Sequence, residues 1–287
     1  MVLRELQMKS NSSSFTREII IKPKTGWQII NWKELKEYKD LIYFLVLRDV
    51  TSLYKQTVLG FSWAILRPFI KMVIFSVVFG GLAKIPSDGI PYPLFVYAGL
   101  VPWEYFSTSL TKSTGSLITG VGIYTKVYFP RLILPIVPCI AILVDFAIAL
   151  SIVFILMLYY GYALSITILY LPILMILMIL FTTGLGIWLS ALAIQYRDVT
   201  HGVQFLVQIL MYAAPVIYPI SWLPESYRIY LAIYPMYGVI EGFRAALLGQ
   251  NAMPWDIIGM GAISAFVMLI SGAYYFKRKE RIFADVA

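Results

Sequence analysis

Six long apolar stretches between Ser62 and Phe276 constrain the fold of this chain most strongly. A helix that crosses the hydrocarbon core of a bilayer, about 30 Å thick, needs roughly 20 mainly apolar residues. The chain is 60% hydrophobic and 13% charged, whereas charged groups normally cover the surface of a soluble domain. We therefore predict an all-α integral membrane protein with six transmembrane helices near Ser62–Ala83, Leu94–Ile118, Leu132–Tyr160, Ile166–Ile194, Val203–Ile220 and Trp255–Phe276.

The distribution of Lys and Arg predicts how these helices are oriented. Positive residues in short flanking loops are retained on the cytoplasmic side of a membrane. Ten Lys and Arg residues precede Ser62 and four follow Phe276, whereas the predicted outer side carries only Lys84, Arg228 and Arg244. Both termini are thus predicted to be cytoplasmic. The net charge of +8 is explained by this rule and by anionic lipids, so it indicates no nucleic-acid partner.

Three regions follow from this pattern. Residues 1–61 form a cytoplasmic tail in which Trp32–Leu53 has apolar residues at helical spacing, typical of an amphipathic helix at the membrane surface. Residues 62–276 form the transmembrane domain, and residues 277–287 form a second cytoplasmic tail. Within the domain, Ser221–Pro254 is too interrupted to span and too apolar for a solvated loop. It is predicted to form re-entrant or interfacial helices at the outer mouth.

The sequence offers little that could support catalysis. His201 is the single histidine and Cys139 the single cysteine, so metal clusters and imidazole-activated nucleophiles have few possible members. No GxxxxGK[ST] phosphate-binding loop is present. We predict no catalytic residue, no metal site and no cofactor bound by this chain, and we interpret Cys139 as a packing residue.

Charged residues inside the predicted spans are functional candidates, because they are costly in a bilayer. Asp145 lies mid-span, where we favour a structural hydrogen-bonding role over direct transport chemistry. Glu104 either lines a pathway or caps a helix broken at the nearby proline. Arg67 and Lys71 share one helical face near the cytoplasmic end of the first span, where they either snorkel to headgroups or meet an anionic lipid-linked substrate.

Ordered fragments along nearly the whole chain resemble the permease subunits of ABC-2-type polysaccharide exporters, the family that exports lipopolysaccharide O-antigen and teichoic acid. The fragments are Arg48-Asp49, Tyr54–Gly60, Trp63–Pro68, Gly99–Trp103, Lys126–Arg131, Arg197–Val199, Ala214–Tyr218, Tyr234-Pro235, Ile240–Arg244 and Phe283–Val286.

This resemblance implies a half-transporter. Two copies of the chain would form the channel, and two separate ATPase subunits, which bind ATP and Mg²⁺, would dock beneath it. The resemblance makes Trp32–Lys55 the interface helix, Tyr124–Arg131 the main coupling helix and Arg197-Asp198 a second contact. The implied ATPase contacts are Tyr38, Arg48, Asp49, Tyr54, Lys55, Tyr124, Lys126, Tyr128, Arg131, Arg197 and Asp198.

The resemblance also implies an outer gate and a substrate path. Ser221–Pro254 resembles the gate helices, and the implied gate residues are Pro215, Tyr218, Pro235, Glu241 and Arg244. The substrate-path residues are Arg67, Lys71, Trp103, Glu104 and Asp145, with the substrate's diphosphate expected near Arg67 and Lys71.

The expected substrate is a polysaccharide carried on a polyprenyl diphosphate and moved across the inner membrane. The Lys22–Trp27 lead-in favours O-antigen, and the scarcity of deep positive charge favours a neutral glycan. Teichoic acid, capsule and small-molecule drug export stay open as alternatives. Two further alternatives are a proton-coupled transporter that uses Asp145 and Glu104, and a membrane-bound glycan-processing enzyme.

Overall fold

The computed structural model describes residues 36–55, 62–249, 252–280 and 283. Within these residues the regular structure is helical, as predicted. The α-helices are α1 Lys39–Tyr54, α2 Ser62–Phe75, α3 Tyr92–Thr119, α4 Val121–Tyr124, α5 Ile133–Ala141, α6 Leu143–Tyr159, α7 Leu171–Ala193, α8 Asp198–Ala213, α9 Glu225–Leu231, α10 Pro235–Leu248 and α11 Trp255–Lys279. A π-helical turn, Ser76–Leu82, extends α2, and 3₁₀ turns cover Ile166–Tyr170 and Ile220–Trp222.

Helix α3 lies at the centre of the molecule. It packs against α2, α5, α6, α7, α8 and α10, and most of its side chains are buried. Its hydroxyl groups donate to carbonyls of the same helix, as in the 2.8 Å bonds from Thr111 to Ser107 and from Thr114 to Leu110, which satisfies them away from water. The helix also continues through Pro102, so Glu104 lies inside a helix and does not cap a broken one.

Helices α7 and α11 approach each other closely at two glycines. A methyl group on Gly184 would lie 2.7 Å from the backbone of Leu269, and Gly272 faces the carbonyl of Gly184. Small residues of this kind let helix backbones approach closely in a membrane, where packing contacts take the place of hydrophobic association. The glycine pair therefore sets the spacing of the two helices that contact each other most extensively.

Four helical segments in the described part of the chain are long and apolar enough to cross a membrane: Ser62–Leu82, Ile133–Tyr159, Ile166–Ala193 and Trp255–Lys279. They coincide with the first, third, fourth and sixth predicted spans. Helix α3, at the second span, has 28 residues but carries many polar side chains. Helix α8, at the fifth, has only 16 residues, because the chain becomes extended at Ala214.

The helix ends gather into two groups. At one end, Arg131 donates to the carbonyl of Glu280 at 3.0 Å, and the Lys279 amine lies 3.1 Å from the side chain of Gln195. At the other end, Tyr92 donates to the carbonyl of Ile217 at 2.8 Å. The first group is rich in Lys and Arg and is here called the basic end; the second is called the opposite end.

The regions flanking the spans are helical where the structure describes them. Helix α1 packs on α5 and covers most of the predicted surface helix, while residues 22–27, 32–35 and 56–61 lie outside the described residues. Two helices, α9 and α10, lie within Ser221–Pro254, and all fourteen residues of α10 are buried. Leu45 of α1 is buried, whereas Tyr43 and Phe44 are exposed, so α1 has one apolar side toward the protein and another available to lipid.

Candidate functional site

Four charged residues of the predicted substrate path meet at a cleft between α2, α3 and α6. This upper cleft encloses about 660 Å³, part of it open to the surroundings, and Arg67, Glu104 and Asp145 line it. Lys71 reaches Glu104 from α2. Its other walls are mostly apolar: Trp63, Ala64, Pro68, Val101, Tyr105, Ile142, Phe146 and Ala149, with Thr108. The cleft therefore confines a small charged group within an apolar surface.

The charges of the upper cleft are compensated within the protein. Lys71 Nζ lies 2.5 Å from Glu104 Oε1, and the guanidinium of Arg67 lies 5.4 Å from the centre of the Trp63 ring. Ion pairing and a cation–π contact both lower the cost of a charge in an apolar environment. Lys71 is the tenth of the 21 residues of the helical segment Ser62–Leu82, so it lies near the middle of that segment and contacts the middle of α3 through Glu104.

Asp145 lies in the first turn of α6. A break of one residue at Ile142 separates α5 from α6 within the third predicted span, and this places Asp145 near the start of α6. A negative group is favoured there, because the first N–H groups of a helix carry partial positive charge. This position supports the structural interpretation of Asp145.

Trp103 does not reach the upper cleft. Its side chain is 2% exposed and its ring lies 5.5 Å from that of Phe106, in the core. It lies on the buried face of α3, whereas Glu104, the next residue, points about 100° away from it and is partly exposed. Proximity in sequence to Glu104 is therefore a poor guide to the function of this tryptophan.

A second polar surface was not predicted from the sequence. A groove that is open to the surroundings, about 1170 Å³ with that open space included, runs between α1 and α3 beside α5. Its polar lining consists of Arg48, Asp49, Ser52, Thr111, Lys112, Ser116 and Thr119. This lower groove and the upper cleft lie along one face of α3, whose members recur at positions 104, 108, 111, 112, 115 and 119. That spacing is helical, and it was the available signal in the sequence.

The segment predicted as the coupling helix, Tyr124–Arg131, is mostly not helical and is here called the coupling segment. Helix α4, Val121–Tyr124, ends at its first residue, and turns and irregular structure follow. Tyr124 and Phe129 are buried, whereas Val127 is 58% and Tyr128 64% exposed. Buried side chains thus anchor the segment at Tyr124 and at Phe129, whereas Lys126 and Tyr128 between them are exposed.

Arg131 and Tyr124 are engaged within the protein. The Arg131 guanidinium lies 5.1 Å from the Tyr124 ring centre and donates to the carbonyl of Glu280. Burial raises the pKa of Tyr124, and the nearby Arg131 opposes this shift only in part. These two residues therefore tie the coupling segment to the end of α11.

The remaining predicted ATPase-contact residues are likewise divided between packed and exposed positions. Tyr38 packs against the buried cluster at the basic end, while Lys55, Arg197 and Asp198 are exposed. Arg48 pairs with Asp49 at 2.8 Å at the edge of the lower groove. Tyr54 ends α1.

Arg244 forms a buried network at the opposite end. Its Nε donates to the carbonyl of Phe95 at 3.1 Å, its Nη2 donates to the carbonyl of Val216 at 2.6 Å, and its Nη1 lies 3.3 Å from Glu241 Oε2. The guanidinium also lies 3.7 Å from the centre of the Phe95 ring. One side chain therefore joins α3, α10 and the extended segment that follows α8.

The other predicted gate residues lie around this network. Pro215 is buried beside Val216, and Pro235 begins α10. Tyr218 donates its hydroxyl proton to the carbonyl of Tyr212 at 3.0 Å, across the end of α8. The predicted gate is thus a set of internal contacts that hold several elements together.

The described residues contain no group of three or more His, Cys, Asp or Glu side chains that could hold a metal ion. Cys139 is fully buried in α5, and its thiol donates to the carbonyl of Pro135 at 3.6 Å. This environment agrees with its interpretation as a packing residue.

Comparison with known proteins identifies the family. The chain is 28% identical over 253 residues to the O-antigen export system permease protein RfbA of Myxococcus xanthus. The alignment covers 86% of this chain and 96% of the relative. It is 26% identical over 248 residues to the RfbA protein of Klebsiella pneumoniae, covering 86% and 95%. It is 25% identical over 241 residues to the polysialic acid transport protein KpsM of Escherichia coli, covering 82% and 92%. Residues 40–248 match the ABC-2 type transporter family, and the chain therefore belongs to that family.

Proposed function

We propose that this chain is the permease subunit of an ABC transporter that exports a polyprenyl-diphosphate-linked polysaccharide, of the O-antigen type, across the inner membrane. The observation that carries this proposal is the similarity to two proteins named as O-antigen export permeases along 86% of the chain. The family match over residues 40–248 includes the first five predicted spans, the coupling segment and most of the gate segment, so it is not limited to one shared motif.

The proposed topology has six spans with both termini in the cytoplasm. Helix α3 serves as the second span, because its polar side chains are enclosed by neighbouring helices or face the cleft and groove. The short α8 serves as the fifth, completed by the extended residues beyond Ala214, and α9 and α10 form the re-entrant outer gate. The basic end is the cytoplasmic end in this arrangement, in agreement with the retention of positive residues inside.

Two copies of the chain and two ATPase subunits complete the proposed transporter. Helices α2 and α8, all of whose residues the structure describes, bury only Pro68 and Met72 and only Val203 and Val207. Their exposed apolar faces are suited to a second copy or to lipid. The exposed Lys126 and Tyr128, with Arg197 and Asp198, form the proposed surface for the ATPase, where ATP hydrolysis would supply the energy.

The upper cleft is the proposed charged part of the substrate path. Because Lys71 pairs with Glu104 and Asp145 sits at a helix start, the cleft presents balanced charge to a passing chain. Balanced charge suits a neutral glycan better than a polyanion, which would require excess positive charge along its path. Movement of the coupling segment would reach the cleft through α3.

Capsular polysaccharide is a second candidate substrate. The similarity to KpsM, whose name refers to an acidic polymer, favours it. The match to the ABC-2 type transporter family agrees with either substrate. The balanced charge of the upper cleft favours the neutral alternative.

Depletion of the chain in its native host tests the proposal. We expect lipid-linked polysaccharide to accumulate on the cytoplasmic side, as detected by fractionation and sugar labelling, and surface glycan to fall. Re-expression of the wild-type chain should restore export, and sugar analysis of the accumulated polymer would distinguish O-antigen from capsule. Normal surface glycan after depletion would contradict polysaccharide export and favour a small-molecule exporter.

A further inference from the structure

The lower groove differs from the upper cleft in its charge. Arg48, Lys112 and Asp49 line the groove, so its formal charge is +1. In the upper cleft, Arg67 and Lys71 face Glu104 and Asp145, so the formal charge there is zero. A ligand with two or more negative charges is therefore attracted to the groove more than to the cleft.

The groove also has hydrogen-bond donors to offer. Its hydroxyl groups already donate to backbone carbonyls: Ser52 to Asp49, Thr111 to Ser107, Ser116 to Ser113 and Thr119 to Gly115. Arg48 uses Nε and Nη2 on Asp49, which leaves the Nη1 protons, and the Lys112 ammonium carries three. The donors available to a ligand thus come from two cations, a pattern suited to phosphate oxygens.

The groove lies where a lipid headgroup would lie. Its wall α1 belongs to the basic end, and Lys112 is seven residues before the end of α3, which is about 10 Å along a helix. Lys112 interacts electrostatically with Asp49 of the groove and with Asp145 and Arg67 of the upper cleft, so it stands between the two. A ligand bound by Lys112 would be positioned at the entrance to the proposed path.

We propose that the lower groove binds the diphosphate headgroup of the polyprenyl-linked substrate through Lys112 and Arg48. This assignment rests on the proposed function and deepens it. It places the diphosphate in the groove and not beside Arg67 and Lys71, because the formal charge of the groove is +1 whereas that of the upper cleft is zero. The upper cleft is then left to the glycan that follows.

Binding of undecaprenyl diphosphate, without glycan, to the full-length chain tests this site. The chain is purified in nanodiscs of phosphatidylcholine, and the bound lipid is quantified by native mass spectrometry. We expect Lys112→Gln and Arg48→Gln each to weaken binding about tenfold, since each removes a charge-assisted hydrogen bond. Lys112→Arg keeps the charge and should retain binding.

A control variant separates the groove from other cations. Lys126→Gln removes an exposed charge at the same end and should bind within about threefold of wild type. Thermal melting of each variant shows whether the fold is intact, and the comparison is made among folded variants.

Three results would overturn the assignment. One is a folded wild-type chain that does not bind undecaprenyl diphosphate; another is equal weakening by Lys126→Gln and Lys112→Gln; the third is displacement by phosphatidylglycerol at the same concentration as the diphosphate. The assay needs neither ATPase nor glycan. A chain that exports glycan but fails this assay contradicts the groove site alone, whereas a chain that binds the lipid while depletion leaves surface glycan normal contradicts the proposed function.

Discussion

Arg244 shows how a single buried side chain can connect several structural elements of this protein. Its side chain is 2% exposed, and it donates hydrogen bonds to carbonyls on two other elements. Gly99 leaves the space that the guanidinium occupies, because a methyl group there would lie 2.6 Å from Nη2. The charge is therefore part of the packing of the opposite end, and a role in gating would act through this network.

Arg244→Gln should lower stability strongly. The variant removes the donor to the carbonyls of Phe95 and Val216 and the positive charge that faces Glu241, so we expect a loss of about 3 kcal/mol or more. Thermal melting in detergent measures the loss.

The double variant Arg244→Gln, Glu241→Gln provides the control, because it also removes the buried negative charge. It should recover part of the lost stability. A melting temperature for Arg244→Gln equal to that of wild type would contradict the anchoring role.

At the scale of elements, the spacing of α7 and α11 depends on glycine. Gly184 and Gly272 bring the two backbones together, and the carbonyl of Gly184 lies where a side chain on Gly272 would be. Gly259, also on α11, is exposed, and a methyl group added there would have no atom of another residue within 4 Å. Gly259 and Gly272 on α11 therefore have different roles, although the sequence around them is similarly apolar.

Gly184→Ala should destabilise the protein by about 1–3 kcal/mol, because the added methyl group collides with the backbone of Leu269. Gly259→Ala is the matched control and should be neutral or stabilising by up to about 1 kcal/mol, since alanine favours a helix. Thermal melting of both variants in nanodiscs compares them. Equal effects of the two substitutions would show that close approach does not limit the packing of α7 on α11.

The coupling segment is a second element whose two sides differ. Tyr124 and Phe129 are buried while Tyr128 is 64% exposed, and Arg131 holds the end of α11. Contact with an ATPase subunit would thus use the outward side, and the inward side would transmit its movement.

Tyr128→Ala should reduce co-purification of the ATPase subunit at least about fivefold and leave thermal melting of the permease unchanged. Tyr159→Ala is the control, because Tyr159 is 80% exposed but lies at the other end of the Ile133–Tyr159 segment. Pull-down from membranes with a tagged permease provides the measurement. Equal recovery of ATPase with both variants would exclude Tyr128 from the interface.

At the scale of the whole molecule, the two ends differ in charge and in the type of contact. The basic end joins α1, the coupling segment and the end of α11 in one buried cluster that includes Leu45, Tyr124 and Phe276. The opposite end has a buried apolar cluster of its own, which includes Ile220, Tyr237 and Ile257, and adds to it the buried hydrogen bonds of Arg244. If the positive residues decide orientation, the first end is cytoplasmic.

Cysteine labelling tests this orientation. In a Cys139→Ala background, which removes the single cysteine, Ser221→Cys should react with a membrane-impermeant maleimide in intact spheroplasts. Thr125→Cys should react only after lysis, because it lies at the basic end. Labelling of Thr125→Cys in intact spheroplasts would mean the opposite orientation.

Much of the architecture could be predicted because it depends on local composition. The apolar runs predicted the four segments that are long and apolar enough to cross a membrane, and the helical spacing of Trp32–Leu53 predicted α1. For Glu104 the sequence left two interpretations open, and capping of a helix broken at Pro102 was wrong, since α3 continues through the proline. The lack of helix over most of Tyr124–Arg131 was also unexpected, because Arg131 is fixed by a contact with the end of α11 that no local pattern records.

The sequence by itself determined that the chain is helical, apolar and asymmetric in charge, because these properties are sums over neighbouring residues. Only the tertiary structure decided that Lys71 pairs with Glu104, that Trp103 belongs to the core, and that Lys112 and Arg48 share a groove. Each of these depends on which faces of distant helices meet, and helix packing is set by side-chain shapes along the whole contact. The sign of each charge could be predicted from the sequence, whereas the pairing of opposite charges was decided by the fold.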